Sequence, residues 1–370
     1  MKILIAAESF FPRSNGVTNS VMKTAKYLRS TGHEVLILAQ GDGPYSVEGH
    51  KVVRIPALSL HKYVTADFPV VSQKRLRQMI SEFAPDVIHL ASPFFLGDQV
   101  LNVASDLDIP VVAIYQTDVS GFAGFYKLNI FRTYGDMKIR KIHSRANLNL
   151  APSSASEAYL KSLGVSNIKR WTRGVDLKAF NPIWRSSERS ANFGKPPVVG
   201  YVGRLAPEKQ VNKLAALVNL DASIVIIGDG PSRRELESIL PNATFLGQLH
   251  GEALSQAMAS LDILVTTGEH ETFCQVIQEG MACKLAVVAP KAGGPIDLID
   301  NGVDGLLVEP GDLTNLRSAV ELLIDDEKFR LMLAENALTK VAGRSWENIC
   351  AELVAHYQNL IDANQARFVS

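Results

Sequence analysis

An arginine and a lysine stand five residues apart in Gly203-Arg204-Leu205-Ala206-Pro207-Glu208-Lys209, directly after the apolar run Val198–Val202. A guanidinium offers a planar fork of donors and an ammonium a compact point charge, so the two can converge on one diphosphate. The same residues also suit a solvated basic turn, or an ion pair between Arg204 and Glu208. A group of acids follows in Gly268-Glu269-His270-Glu271-Thr272-Phe273-Cys274-Gln275-Val276-Ile277-Gln278-Glu279. A carboxylate suits a ribose diol, because each oxygen accepts a hydroxyl hydrogen bond. Repulsion between these acids and a diphosphate has to be offset, and Arg204 and Lys209 could do so. Glu279 taken alone fits a solvated helix residue as well.

Glycines mark two more loops. Gly16 sits at the mouth of the first predicted helix, where free N–H groups and the positive dipole end favour an anion. Its loop, 8–17, has no GxGxxG, so the dinucleotide fingerprint is absent. A plain helix-start turn fits it equally. Gly293-Gly294, inside Ala292-Gly293-Gly294-Pro295, either turns backbone N–H groups toward a ligand or simply makes a turn.

These loops need strands before them and helices after them. In the first half, short apolar runs at Lys2–Ala7, 34–39, 52–55, 87–90, 111–115 and 148–151 have the unbroken character of parallel strands covered on both faces. Val17, Val21, Ala25 and Leu28 form one face of a helix between the first two, and Gly32 ends it. The polar stretch 181–197, with Pro182, Pro196 and Pro197, is predicted to be a linker. The alternation then restarts, with strands expected at Val198–Val202, Ser223–Ile227, 244–246, 263–266, 286–289 and 305–308. A strand is expected to end near Thr267 and a helix to begin near Phe273. Two doubly wound α/β domains in tandem follow, with ligands off the carboxyl ends of the strands, in a cleft between the domains.

Composition agrees. At roughly 100–200 residues per domain, 370 residues make two. The 38 basic and 38 acidic residues cancel, which argues against a nucleic-acid binder driven by bulk charge. Cys274, Cys283 and Cys350 match no zinc spacing and no CxxC pair, and are expected as free thiols in a reducing compartment. Ile3-Leu4-Ile5-Ala6-Ala7 is too short for a signal segment, and no run approaches the about 18 apolar residues that span a bilayer. The expectation is a cytoplasmic protein.

Gly203-Arg204-Leu205 with Glu208-Lys209, Glu271 and Glu279 in Glu-x7-Glu spacing, and Gly293-Gly294, in that order, resemble the retaining GT-B glycosyltransferases of the family-four type. Bacterial α-mannosyltransferases, sucrose synthases and glycogen synthases belong there. The resemblance covers nearly the whole chain, and the two motifs together are specific where either alone is not. It implies a GT-B fold: two Rossmann-like domains facing a central cleft. Residues 1–180 would form the acceptor-side domain, joined by a C-terminal helix, 346–370, that crosses back. Residues 195–345 would bind the nucleotide sugar. On this resemblance Gly16 lies beside the phosphates and Arg204 and Lys209 hold the diphosphate. Glu271 lies near the donor-sugar hydroxyls and Glu279 on the ribose, and the backbone of Thr272-Phe273-Cys274 faces sugar and phosphates. Many relatives have glycine where Cys274 stands. A larger departure is Tyr115-Gln116-Thr117-Asp118, where many relatives carry a histidine near the anomeric centre. Gln116 can hydrogen-bond a sugar hydroxyl but cannot titrate, so no histidine is assigned a catalytic role. Asp118 is a candidate contact to the donor sugar or acceptor.

Ala7-Glu8-Ser9-Phe10, Tyr115-Gln116-Thr117-Asp118-Val119, Trp171-Thr172-Arg173-Gly174-Val175-Asp176 and 268–275 further resemble actinobacterial GDP-mannose-dependent α-mannosyltransferases that act on membrane glycolipids. This implies GDP-mannose as donor and a glucuronosyl diacylglycerol or phosphatidylinositol-type acceptor. The alternatives are a UDP-sugar with a soluble acceptor, or a nucleotide-sugar epimerase. A two-carboxylate glycosidase would leave Arg204 and Lys209 without a role. Retention implies an oxocarbenium-like transition state whose leaving diphosphate takes the acceptor proton, with cations and helix N-termini stabilising its charge. No metal is expected, since no predicted strand ends in a DxD-like site and Asp106-Leu107-Asp108 precedes one. Lys127, Arg132, Lys138, Arg140, Lys141 and Arg145, with His143, face only Asp136 among acids in their stretch. Gly121-Phe122-Ala123-Gly124-Phe125-Tyr126 precedes them, and Lys74, Arg75 and Arg77 form a second cluster. They suggest peripheral association with the anionic inner membrane face, at about 1 kcal/mol per cation, or a solvated helix face.

Overall fold

The computed structural model describes residues 1–13, 15–59, 67–116 and 129–369. The chain divides into two compact units, Met1–Arg173 with Trp346–Ser370, and Gly174–Ser345.

The first unit holds strands β1 (Lys2–Ala7), β2 (Glu34–Gln40), β3 (Ser46–Val47), β4 (His50–Ile55), β7 (Val87–Ala91), β8 (Val111–Ile114), β9 (Leu148–Ala151) and β10 (Ile168–Arg170) in one sheet, ordered β10-β9-β8-β7-β1-β2-β4-β3. Every ladder but β3–β4 is parallel. A separate antiparallel hairpin pairs β5 (Ala57–Ser59) with β6 (Asp67–Pro69). The unbroken apolar run of β1 has a direct cause. Ile3, Ile5 and Ala7 enter the core that includes Val21 and Leu28 of helix Gly16–Ser30, while Leu4 and Ala6 enter the core on the opposite face. Helix Gly16–Ser30 starts where the Asn15 side chain accepts from the backbone N–H groups of Val17 and Thr18, both at 3.0 Å. Val17, Val21, Ala25 and Leu28 are all buried on it.

Helix Trp346–Val369 belongs to this unit and is pinned to it by buried polar bonds. Trp171 Nε1 donates to Ile349 O at 2.9 Å, and Tyr357 Oη shares a hydrogen bond with His89 Nδ1. His143 lies buried against Asn149 Oδ1 at 2.8 Å. Burial pushes His89 down to about 3 and His143 down to about 4. Both histidines titrate near 6.5 once unfolded, so the unfolded chain binds more protons below that pH. The stability they hold is complete above about pH 6.5 and is lost as pH falls toward 4 and then 3, at about 1.4 kcal/mol per pH unit for each histidine. Urea unfolding between pH 7.5 and 4.5 should show this slope, and His89→Gln should flatten it. An unchanged slope would mean that His89 is not buried neutral.

The second unit holds β11 (Val198–Val202), β12 (Ser223–Ile227), β13 (Thr244–Gly247), β14 (Ile263–Val265), β15 (Ala286–Pro290) and β16 (Leu306–Val308), all parallel, ordered β13-β12-β11-β14-β15-β16. The winding direction reverses between β11 and β14, so the loops after these two strands flank the switch point, where doubly wound sheets bind ligands. Those are the loops that carry Arg204, Lys209 and Glu271. The helix expected near Phe273 runs Gln275–Ala282. The stretch 181–197 holds a 3-10 turn at Pro182–Trp184 and a short helix at Ser187–Asn192. Within it Arg185 bonds Leu261 O at 2.8 Å and Asp262 Oδ1 at 2.6 Å, both in the second unit. The chain first passes between units at Arg173 and Gly174.

Candidate functional site

Lys209 closes the 3-10 turn Pro207–Lys209, and its ammonium forms an ion pair with Glu271 Oε1. Thr267 Oγ1 donates to Lys209 O at 2.8 Å, which ties the β11 and β14 loops together through backbone as well. Burial alone would pull the Lys209 pKa down, but Glu271 beside it outweighs that and the net shift is upward. The ammonium therefore stays charged. Tyr201 lies in the same cluster, where burial and then Glu271 push its phenol up.

Arg204 keeps a more open position. Its side chain is 60% exposed, and its guanidinium lies 3.5 Å from the buried carboxylate of Glu208. A guanidinium so placed can swing toward a ligand with little desolvation. Glu279 is partly exposed on helix Gln275–Ala282, downstream of Glu271.

The backbone between the two acids is unusual. Phe273 is buried in the core, so that side chain faces the core; Thr272 is half-buried. Cys274 caps the helix with φ at 68°, in the left-handed region that favours glycine. A glycine would hold this position without the strain that Cys274 bears. Burial, with Glu271 adding to it, pushes the Cys274 thiol up, so it holds no thiolate. All three cysteines are free and buried.

Gly293 and Gly294, read from sequence either as ligand-facing or as a plain turn, pack tightly against the Glu271 loop. A Cβ on Gly294 would lie 2.4 Å from Phe273 Cα, and one on Gly293 2.5 Å from Glu271 O. Gly294 N donates to Glu271 O at 2.7 Å. Its N–H is thus committed to holding the Glu271 loop, not turned to a ligand. A comparable contact was missed in the sequence. Gly228 and Gly230, after β12, have φ of +144° and +155°, and press against the backbone of Gly203 and Leu205. Two glycines around Asp229 at a strand end were the available signal.

In the first unit, Gly16 opens its helix beside a buried arginine that was given no role. A Cβ at Gly16 would lie 2.7 Å from Arg173 Nη1, and Arg173 Nη2 donates to the buried Gln116 Oε1 at 2.8 Å. Arginine has only donors, so Gln116 must present its carbonyl oxygen to Arg173. Glu8, directly after β1, was also passed over. Its carboxylate accepts from the backbone N–H groups of Phe94, Phe95 and Gly97, the last two at 2.9 and 3.0 Å. Burial raises its pKa against these three donors and Lys138. Asp118 lies outside the described residues, as do Lys127 and 121–126.

The basic stretch is partly self-neutralised. Lys138, Lys141 and Arg145 gather on the buried carboxylate of Asp98, at 2.5, 3.0 and 3.8 Å. Arg77 pairs with Asp106 at 3.1 Å, whereas Arg140, Lys74 and Arg75 are exposed. Among the described residues no group of three or more His, Cys, Asp or Glu is placed to hold a metal, and no helix is long and apolar enough to cross a membrane.

Residues 14–179 match the family described as Glycosyltransferase Family 4, and residues 182–340 match Glycosyl transferases group 1. A GDP-mannose-dependent alpha-mannosyltransferase of Mycobacterium tuberculosis is 43% identical, over 97% of this chain and 96% of that protein. One of the same name from Corynebacterium glutamicum is 41% identical, over 99% and 90% respectively. Anabaena HepE, solved in complex with UDP, superposes with a TM-score of 0.80 at 22% identity, over 97% of this chain and 100% of that one. That likeness carries the GT-B fold.

Proposed function

The chain belongs to glycosyltransferase family 4, and we propose that it transfers mannose from GDP-mannose, with retention at the anomeric carbon, to a glycolipid acceptor. The observation that carries this reading is the Lys209–Glu271 pair beside the β11/β14 switch point. It puts a permanent cation next to an acid that can accept from sugar hydroxyls. Lys209 and Arg204 take the charge that grows on the leaving diphosphate, and the released phosphate oxygen takes the acceptor proton. Glu271 holds the mannose hydroxyls and Glu279 the ribose, with the backbone of Thr272, Phe273 and Cys274 along the donor. Gly16, Gln116 and Asp118 are proposed contacts on the strength of the family resemblance. The donor is supported by the names of the two actinobacterial relatives, and with Lys209 and Arg204 at the diphosphate the proposed transfer needs no metal.

The donor assignment has a simple test. GDP should raise the melting temperature more than UDP or ADP at equal concentration, since selective binding stabilises by mass action. Turnover should be robust with GDP-mannose and should persist in EDTA. Robust turnover with UDP-glucose and none with GDP-mannose would overturn the assignment, and activity that only Mg²⁺ or Mn²⁺ restores would overturn metal independence.

For the acceptor, we propose a lipid presented at an anionic membrane surface, to which the protein binds peripherally on the cytoplasmic side. Arg140, Lys74 and Arg75 are exposed for this, and Lys141 in part. With other cations paired to Asp98 and Asp106, the attraction should be modest, at about 1 kcal/mol per free cation, and screened by salt. Co-sedimentation with anionic vesicles at low salt, lost at high salt, is the expected result. Equal binding to neutral and anionic vesicles, or to neither, would make a soluble acceptor the better reading.

A further inference from the structure

Two lysines four residues apart, Lys209 at the end of the turn Pro207–Lys209 and Lys213 in the 3-10 helix Val211–Leu217, face two acids of the β14 loop, Glu271 and Glu269. The first pair belongs to the proposed donor site. The second lies beside it on the same loop, and its lysine is the less exposed of the two: the Lys213 side chain is 20% exposed and that of Lys209 30%. Glu269 Oε1 accepts from Lys213 Nζ and from Gly311 N, the latter at 2.8 Å. Lys213 Nζ also donates to Gln210 Oε1 at 2.9 Å. One carboxylate thus joins the loops that follow β11, β14 and β16. Burial works to raise the Glu269 pKa, but the Lys213 bond and the Gly311 N–H prevail and hold it below the usual range. The carboxylate stays ionised and the clamp stays made.

We infer that Lys213 and Glu269 form a positioning pair that holds the loop bearing Glu271 while Lys209 turns from Glu271 to the donor diphosphate. This rests on the reading of Glu271 as the acid at the donor sugar. When a diphosphate arrives, the Lys209 ammonium is shared between it and Glu271, and the pull on Glu271 weakens. A loop held only by that bond would drift as the sugar arrives. The Lys213 ammonium is already taken up by Glu269 and Gln210, and Glu269 by Gly311 N as well, so the clamp can keep its bonds through the exchange. Gly294 N, bonded to Glu271 O, braces the loop from the other side.

The consequence is specific to the sugar. Loosening the clamp should weaken the part of donor affinity that comes from mannose and leave the part from GDP. The experiment measures Kd for GDP-mannose and for GDP by titration calorimetry in the wild type, Lys213→Met, Glu269→Gln, the double variant and Glu271→Gln. Melting temperatures establish that each variant is folded. In Lys213→Met and Glu269→Gln the GDP-mannose Kd should rise about tenfold or more, the scale of a misplaced contact group. The GDP Kd should stay within about twofold, and the double variant should be no worse than either single one, because both break one interaction. Lys213→Arg, which keeps the charge, should restore most of the discrimination. An equal loss of affinity for both ligands would show a merely structural role and overturn the inference. So would an unchanged ratio of the two Kd values in both single variants while Glu271→Gln shifts it. If Glu271→Gln leaves that ratio unchanged, the reading of Glu271 fails, and this inference with it.

Discussion

Lys209→Ala is expected to lower kcat/KM for mannosyl transfer by ~100-fold or more, mainly through kcat, the scale of losing one fixed charge partner of a transition state. Two effects act in the same direction. The variant removes a cation whose pKa Glu271 holds up against burial, and it leaves the Glu271 carboxylate unpaired close to a leaving group that is gaining negative charge. Lys209→Arg should lose less, because it keeps the charge but offers a planar fork in place of a point donor. Arg204→Ala should show a loss of similar order despite its exposure, since its guanidinium leans on Glu208 at 3.5 Å in the free protein and can turn to the diphosphate. Steady-state kinetics over a range of GDP-mannose concentrations separates the two parameters. Near-normal kcat/KM in both alanine variants would remove these cations from the site.

Gly228→Ala should be the most destabilising single methyl addition in the second unit. Its Cβ would lie 1.9 Å from Gly203 O, a backbone atom that cannot swing aside, and its φ is +144°. Gly203 N and Leu205 N are bonded to Ile227 O and Asp229 O, each at 2.9 Å, so the two loops would have to part. Backbone strain and overpacking together cost roughly 3 kcal/mol or more. For a unit of this size that lowers the melting temperature by roughly 6 °C or more. The displaced loop carries Arg204 and Lys209, so GDP affinity should fall with it. Gly32→Ala is the control: its φ is +83° but nothing lies within 4 Å of the added Cβ, so only backbone strain of about 1 kcal/mol applies. Equal melting temperatures for the two variants would contradict the close approach of the two loops.

The elements legible in the sequence are those whose burial is two-sided. β1 and β11 are unbroken apolar runs because both faces are covered, and helix Gly16–Ser30 shows its apolar stripe because only one face is. The two-residue β3, the hairpin β5–β6 and the edge strand β10 were not legible. Ile168, Lys169 and Arg170 of β10 are partly or fully exposed, so no apolar signal marks them, and the strand exists because β9 offers an edge to pair with. Arg173 and Glu8 went without a role for a related reason. Each contacts residues far along the chain, Gln116 and Gly16 for one and the 94–97 backbone for the other.

The sequence by itself determined the two α/β series, the loops that bear the cations and acids, and the order of motifs that marks the family. Local periodicity and residue chemistry suffice for that, because strand faces, helix stripes and loop positions are read over a few neighbouring residues. Only the tertiary structure decided how the charges are shared. Lys209 pairs with Glu271, and Arg204 leans on Glu208, one of the arrangements its spacing allowed. Lys138, Lys141 and Arg145 share the carboxylate of Asp98 when their spacing alone suggested a free basic face. Gly294 spends its N–H on Glu271 O. Coulomb attraction falls off with distance through space and is less screened away from water, and both are set by which strands lie side by side. β11 and β14 are neighbours in the sheet although β12 and β13 lie between them in the chain, and that adjacency brings Lys209 to Glu271.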